Sequence, residues 1–168
     1  MSKHDAKMTA IAYGLVSDAF ATVFDRGGRP YFEHCMEVCR KLGPKADDKL
    51  KQVAILHDYL EDVQNATADD LLEIGFNPEV VKSVVLLTKK HGNDYKDPVV
   101  YESYLQGIES NRMACLVKMC DFRHNSDLRR LKGVTEKDMK RSFKYQEGFY
   151  RLSAVANQNG WSSEQKGM

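Results

Sequence analysis

The sequence predicts one all-α domain, a single bundle of about eight helices. Three observations carry that expectation. Apolar residues recur at spacings of three and four through nearly every segment, the period of one helix face. No segment alternates apolar and polar residues strictly over six positions, so no strand pattern competes. Glycine and proline interrupt the periodic segments where helices must start or stop. The 168 residues suit one domain, and no repeat or linker divides them. With 42% hydrophobic and 29% charged residues, the composition is that of a chain able to bury a core.

Residues 5–24 place Met8, Ile11, Ala12, Leu15, Ala19, Phe20 and Val23 on one stripe. Asp25-Arg26-Gly27-Gly28-Arg29-Pro30 breaks it, and the proline suits the first turn of a second helix running to about Leu42. Gly43-Pro44 stops that helix. A third, about Ala46 to Val63, contains Val53-Ala54-Ile55-Leu56, apolar on every side and so expected at the centre of the fold. Thr67 with Asp69 and Asp70 reads as a helix start, with acids at the positive end of the dipole, and Gly75 as its stop. Another helix is expected from Asn77-Pro78 to about Thr88. Residues 89–98 form the longest loop-like stretch, a candidate rim to a cleft. Helices follow at about 98–109, 111–131 and 135–157. The domain is expected to span 1–157, with 158–168 as a polar C-terminal tail.

Several function classes lose support early. The balance of 25 basic against 24 acidic side chains leaves a formal charge of +1, so no DNA, RNA or anionic membrane is expected as a partner. Apolar runs such as Val84-Val85-Leu86-Leu87 fall far short of the roughly 20 residues that span a bilayer. The start, Met1-Ser2-Lys3-His4-Asp5, leads into no apolar signal core. Cys35, Cys39, Cys115 and Cys120 lack paired CxxC spacing. They read as reduced, buried thiols in a cytoplasmic protein, with Cys35 and Cys39 on one helix face as a soft-metal alternative.

The informative residues are polar groups on helices that should otherwise be buried. His57-Asp58-Tyr59-Leu60-Glu61-Asp62 follows directly on the apolar run. At about 100° per residue His57 neighbours Glu61 and Asp58 neighbours Asp62, all within an arc of roughly 140°. Burying an imidazole with three carboxylates is costly unless cations or hydrogen bonds compensate, and one divalent metal compensates them together. Nitrogen with carboxylate oxygen suits Zn, Mn, Fe or Co better than calcium. The run from Met113 repeats the pattern, apolar apart from Lys118 until Asp121, with Asn125 one turn on. His34 follows Tyr31 and Phe32 on the second helix. Singly, His34 reads as a hydrogen-bonded core histidine and Asp121 as a partner for Lys118. Together, His34, His57, Asp58 and Asp121 read as metal ligands beside an acidic pair, Glu61 and Asp62. His4 and His124 are not expected among the ligands.

These residues also carry a resemblance. The order His…His-Asp…Asp is similar to the signature of the HD superfamily of metal-dependent phosphohydrolases. Arg26-Gly27-Gly28-Arg29-Pro30-Tyr31-Phe32-Glu33-His34 is similar to the (K)SGEPYxxH segment of the RelA/SpoT-type alarmone hydrolases. His57 to Asp62 resembles their HDxxED motif, and Lys118-Met119-Cys120-Asp121-Phe122-Arg123-His124-Asn125 resembles KLADRxxN. Leu87-Thr88-Lys89 resembles the threonine-lysine between them. The likeness spans about residues 5–155. With no room for a synthetase domain, the chain resembles the stand-alone small alarmone hydrolases, the group that includes the metazoan SpoT homologue.

The resemblance implies an HD-type helical fold and one ion, usually manganese (Mn2+), held by His34, His57, Asp58 and Asp121. It implies that Glu61 and Asp62 position or deprotonate the attacking water and that Arg26 and Asn125 contact a nucleotide substrate. The implied reaction is hydrolysis of the 3′-pyrophosphate of a (p)ppGpp-like alarmone. A nucleotidase acting on 5′-monophosphates or NADPH, and a non-catalytic nucleotide-sensing module, are the alternatives. Intact ligands and an intact acidic pair favour catalysis. Where the family stacks an arginine on guanine, this chain has Asp25, which cannot stack. The base is therefore expected on aliphatic or aromatic groups, and Asp25→Arg is expected to tighten purine binding. Charge supports a phosphorylated ligand: Arg129 to Arg151 holds eight basic and three acidic residues, Lys45 to Glu73 three basic and eight acidic. A basic wall facing an acidic floor suits a polyphosphate, with Arg26, Lys118, Arg123, Lys140, Arg141 and Lys144 as candidate contacts.

Overall fold

The computed structural model describes residues 2–163. Among them are nine α-helices: α1 Lys3–Ala19, α2 Tyr31–Lys41, α3 Asp48–Leu56, α4 Tyr59–Asp62, α5 Ala68–Ile74, α6 Pro78–Leu87, α7 Pro98–Glu109, α8 Arg112–Asn125 and α9 Glu136–Gln158. A short 3-10 helix, Leu128–Arg130, links the last two. An isolated antiparallel bridge, Phe24 to Pro30, is the nearest approach to a strand among these residues. The all-α expectation holds.

The helix starts follow from local chemistry. Ser2, Asp47, Asn111 and Thr135 each accept a first-turn backbone N–H at the heads of α1, α3, α8 and α9. Thr67 and Asp70 form a reciprocal capping box on α5, which ends at Gly75 with φ of 109°. Proline opens α6 and α7, where its missing N–H costs nothing.

As expected, α3 is central. It packs against α1, α2, α6 and α8, and Val53, Ala54, Ile55 and Leu56 are fully buried. The long α9 lies along α8, and Gly148 is their point of close approach. A Cβ there would stand 2.5 Å from the Phe122 ring. All four cysteines are buried and unbridged. No helix among the described residues is long and apolar enough to cross a membrane.

Three boundaries differ from the sequence reading, two because a side chain competes with the helix and one because a backbone bridge does. The helix expected over 46–63 breaks at His57-Asp58: His57 Nδ1 donates to the Ala54 carbonyl at 2.8 Å, the group that the Asp58 N–H would use in a continuous helix. The helix expected to reach 131 stops at Asn125. Asp127 then accepts the Arg129 N–H at 3.1 Å and starts the 3-10 turn. The first helix stops at Ala19 rather than 24, since Val23 and Phe24 turn into an extended corner where Tyr31 N–H bonds the Val23 carbonyl at 2.7 Å. Beyond α9, Trp161 packs on the core and the Arg112 guanidinium donates to the Ser162 carbonyl at 2.7 Å. Residues 164–168 of the expected tail lie outside the described residues.

Candidate metal centre

Three helix segments deliver four ligand-type side chains to one point. His34 comes from the first turns of α2, His57 and Asp58 from the break between α3 and α4, and Asp121 from the third turn of α8. His34 Nε2 lies 3.2 Å from His57 Nε2, 3.5 Å from Asp58 Oδ2 and 3.2 Å from Asp121 Oδ1. His57 Nε2 lies 2.9 Å from Asp58 Oδ2 and 3.8 Å from Asp121 Oδ1. Donors about 2.1 Å from a shared centre and 90–120° apart stand about 3.0–3.6 Å from one another, close to the 3.2–3.8 Å spread of the His34, His57 and Asp121 donors, which form one candidate metal group; Asp58 joins from the side of the two imidazoles.

Each of the four has an outer partner. His57 Nδ1–H is committed to Ala54, which leaves Nε2 facing the cluster as a lone pair. Tyr31 donates its hydroxyl to Asp58 Oδ2 at 2.6 Å. Asp121 receives the buried Lys118 ammonium on Oδ2 at 2.9 Å and the Asn125 amide on Oδ1 at 2.5 Å. The two readings of Asp121, partner of Lys118 and member of the cluster, are thus both true. His34 Nδ1 lies 2.6 Å from His124 Nδ1.

Electrostatics point the same way. Burial disfavours the His34 imidazolium, but hydrogen bonds to Asp121 and Asp58 outweigh it and hold the group up at about 9. Burial opposes ionisation of Asp58 and Asp121 as well. His57 and His34 hold Asp58 well below the ordinary carboxylate range, and Lys118 with His34 does the same for Asp121. Two imidazoles and two carboxylates held below the ordinary carboxylate range make a cluster of the kind that suits a cation.

The cluster forms the floor of a cleft of about 940 Å3. Glu61 and Asp62 line it one turn past the ligands. Glu61 Oε2 accepts the Lys89 backbone N–H at 2.9 Å, with the Lys89 ammonium 3.6 Å from Oε1, so the 89–97 rim is anchored to it. Burial, then the charges of Asp58 and Glu61, push Asp62 up to about 6. Opposite stands α9, with Lys137, Lys140, Arg141 and Lys144 at i, i+3, i+4 and i+7 along the cleft. Arg26 lines the mouth, half-exposed, and pairs with Asp138 at 2.8 Å.

The structure revises the readings of Arg123 and Asp25 and adds a contact to that of His124. Arg123 is exposed outside the cleft, its guanidinium over the Phe149 ring, whereas Lys137 lines the cleft and was not among the expected contacts. His124 is no member of the ligand set but stands directly behind one, one turn beyond Asp121 on α8. Asp25 is not a bare carboxylate in a base pocket. Its Oδ1 accepts the N–H groups of Gly27 at 2.8 Å and Arg29 at 2.9 Å, and its Oδ2 meets Arg130 at 3.3 Å. An arginine at position 25 would lose all three bonds and face Arg130, so the expectation that Asp25→Arg tightens purine binding is withdrawn. The aromatic surface at the mouth is its neighbour, Phe24, 62% exposed.

Fold and site together define an all-α helical bundle with a His/Asp cluster at the base of a cleft. No protein-family model matches the chain, and no curated protein matches it in sequence. A solved structure does match in fold, described as a metazoan ortholog of SpoT that hydrolyses ppGpp and plays a role in starvation responses. The two share 18% sequence identity at a TM-score of 0.71, over 92% of this chain and 96% of that one.

Proposed function

We propose that this protein is a metal-dependent hydrolase that removes the 3′-pyrophosphate of a (p)ppGpp-like alarmone. The observation that supports the reading is the grouping of His34, His57 and Asp121, with Asp58 Oδ2 against both imidazoles, on the floor of a cleft that basic residues of α9 also line. When bound, a divalent ion, with Mn2+ the first candidate, supplies a water of lowered pKa and neutralises charge on the attacked phosphoryl group. Glu61 and Asp62 are the groups to orient that water and take its proton. Burial and the neighbouring carboxylates hold Asp62 above the ordinary carboxylate range, which favours its taking up a proton. Asn125 steadies Asp121 from within the cleft and offers its amide to a bound nucleotide.

The wall supports a substrate with phosphates at both ends. Lys137, Lys140, Arg141 and Lys144 run along α9, so one phosphate group can sit at the floor while another meets the wall. Phe24, with Leu128 and Leu131 also lining the cleft, offers an apolar rest for a purine. The protein acts on a small nucleotide in this reading, not on DNA or RNA.

Purified protein, stripped of metal and reloaded with Mn2+, should be incubated with ppGpp, pppGpp, ppApp, NADPH and nucleoside monophosphates. Release of pyrophosphate from ppGpp, pppGpp or ppApp is the expected result. Orthophosphate from monophosphates or NADPH as the main product would replace this reading with a general nucleotidase. Tight nucleotide binding without turnover would replace it with a sensing module.

A further inference from the structure

We propose that Asp25, Arg130 and His124 form a positioning chain that holds His34 with Nε2 toward the metal, so that the turn at the cleft mouth sets the affinity of the centre. The inference rests on the metal centre proposed above, not on the identity of the nucleotide.

The links are short and mostly buried. The His34 and His124 rings stack with centroids 4.8 Å apart and share the 2.6 Å contact between their Nδ1 atoms. If His34 is to face an ion through Nε2, its proton belongs on Nδ1, and a nitrogen at 2.6 Å is an acceptor for it. Arg130 NH1 lies 3.3 Å from His124 Nδ1 and 3.4 Å from its Nε2, so the guanidinium packs against the ring and leaves the Nδ1 lone pair to His34; NH1 also meets Asp25 Oδ2 at 3.3 Å, and NH2 donates to Asn125 Oδ1 at 3.3 Å. One guanidinium therefore touches the partners of two ligands, His124 behind His34 and Asn125 behind Asp121.

The outer end of the chain is fixed by backbone. Gly27 approaches the Arg130 carbonyl so closely that a Cβ would stand 2.5 Å from the oxygen, and Gly28 has φ of 79°. Gly27 thus lets the turn dock on the 3-10 helix and Gly28 supplies its left-handed backbone, with Asp25 bonded to its own turn on one side and to Arg130 on the other. Arg26, the next residue, lines the cleft. A group that lines the substrate cleft and the chain that orients a metal ligand share one turn.

The test is Mn2+ affinity by calorimetry on metal-stripped protein, with the visible spectrum of the Co2+ form as a second readout. His124→Ala should weaken Mn2+ binding about 10–100-fold, the usual scale for losing a partner behind a ligating histidine. His124→Asn, whose side-chain oxygen can accept from His34 Nδ1–H, should recover most of that loss. Asp25→Asn should weaken binding less than His124→Ala and in the same direction. Thermal unfolding of the metal-free variants separates loss of fold from loss of affinity. Should His124→Ala fail to fold, His124→Asn and Asp25→Asn carry the comparison. Affinity within twofold of the unaltered protein and an unchanged Co2+ spectrum in His124→Ala would overturn the proposal, as would equal losses in the Ala and Asn variants. If the unaltered protein binds no divalent ion, the metal centre and this chain fall together. If it binds the ion and responds as predicted yet turns over no alarmone, the substrate reading fails and the chain is supported.

Discussion

The floor of the cleft and its wall differ in how much of their geometry is decided before a ligand arrives. On the floor, every ligand-type side chain is buried or half-buried and held from behind: His57 by Ala54, His34 by His124, Asp58 by Tyr31, Asp121 by Lys118 and Asn125. On the wall, charge is presented on long side chains along one face of α9, with Lys144 over the Tyr101 ring and Arg141 bonded to the Tyr145 hydroxyl. Positioning a metal and a water needs donors fixed to a fraction of an ångström. Neutralising phosphate needs charge within reach, and a flexible lysine serves for that. Floor substitutions should therefore act in an all-or-none manner, and wall substitutions in graded steps.

The largest effect should come from Asp58→Ala, which removes a donor and the partner of the Tyr31 hydroxyl together. Metal binding and turnover should fall to background by calorimetry and product assay. Near-normal metal affinity would mean that the floor is a hydrogen-bonded core and not a centre. Next, Glu61→Gln keeps an acceptor for the Lys89 N–H while losing the charge that takes a proton. Turnover should drop on the order of 10²-fold or more with metal binding kept. An equal loss of both would recast Glu61 as a clamp on the rim.

The mouth and the wall should respond more gently. Phe24→Ala should raise KM about 5–150-fold for guanine and adenine alarmones alike, the range expected of one stacked base, with kcat little changed. A hundredfold preference between the purines in the unaltered protein would show that another group reads the base. Lys140→Ala should cost a few-fold in kcat/KM, and the loss should shrink as salt is raised, since exposed charge is screened. A salt-independent loss of a hundredfold would place Lys140 among the fixed groups of the floor.

What the sequence disclosed follows the same division. His57, Asp58 and Asp121 stand out because they terminate apolar runs, and burial of those runs is dictated by composition alone. The all-helical fold and the central place of Val53 to Leu56 are legible for the same reason. The outer partners are not, because tertiary packing chooses them: His124, Arg130 and Tyr31 acquire their roles only once α2, α8 and the Asp25 turn meet. The break at His57-Asp58 is hidden because it depends on one imidazole reaching a carbonyl three residues back. Lys137 was within reach of a pattern argument, sharing the helix face of Lys140, Arg141 and Lys144. Phe24 was not: at the end of a helical stripe it reads as a core residue, and only the turn of Val23 and Phe24 leaves it exposed.

One ion held by four side chains is directly measurable by anomalous diffraction from crystals grown with Mn2+. That arrangement predicts one strong manganese peak about 2.0–2.3 Å from His34 Nε2, His57 Nε2, Asp58 Oδ2 and Asp121 Oδ1. A fully Mn2+-equilibrated crystal with no peak there, or with manganese bound elsewhere in the cleft, would contradict it.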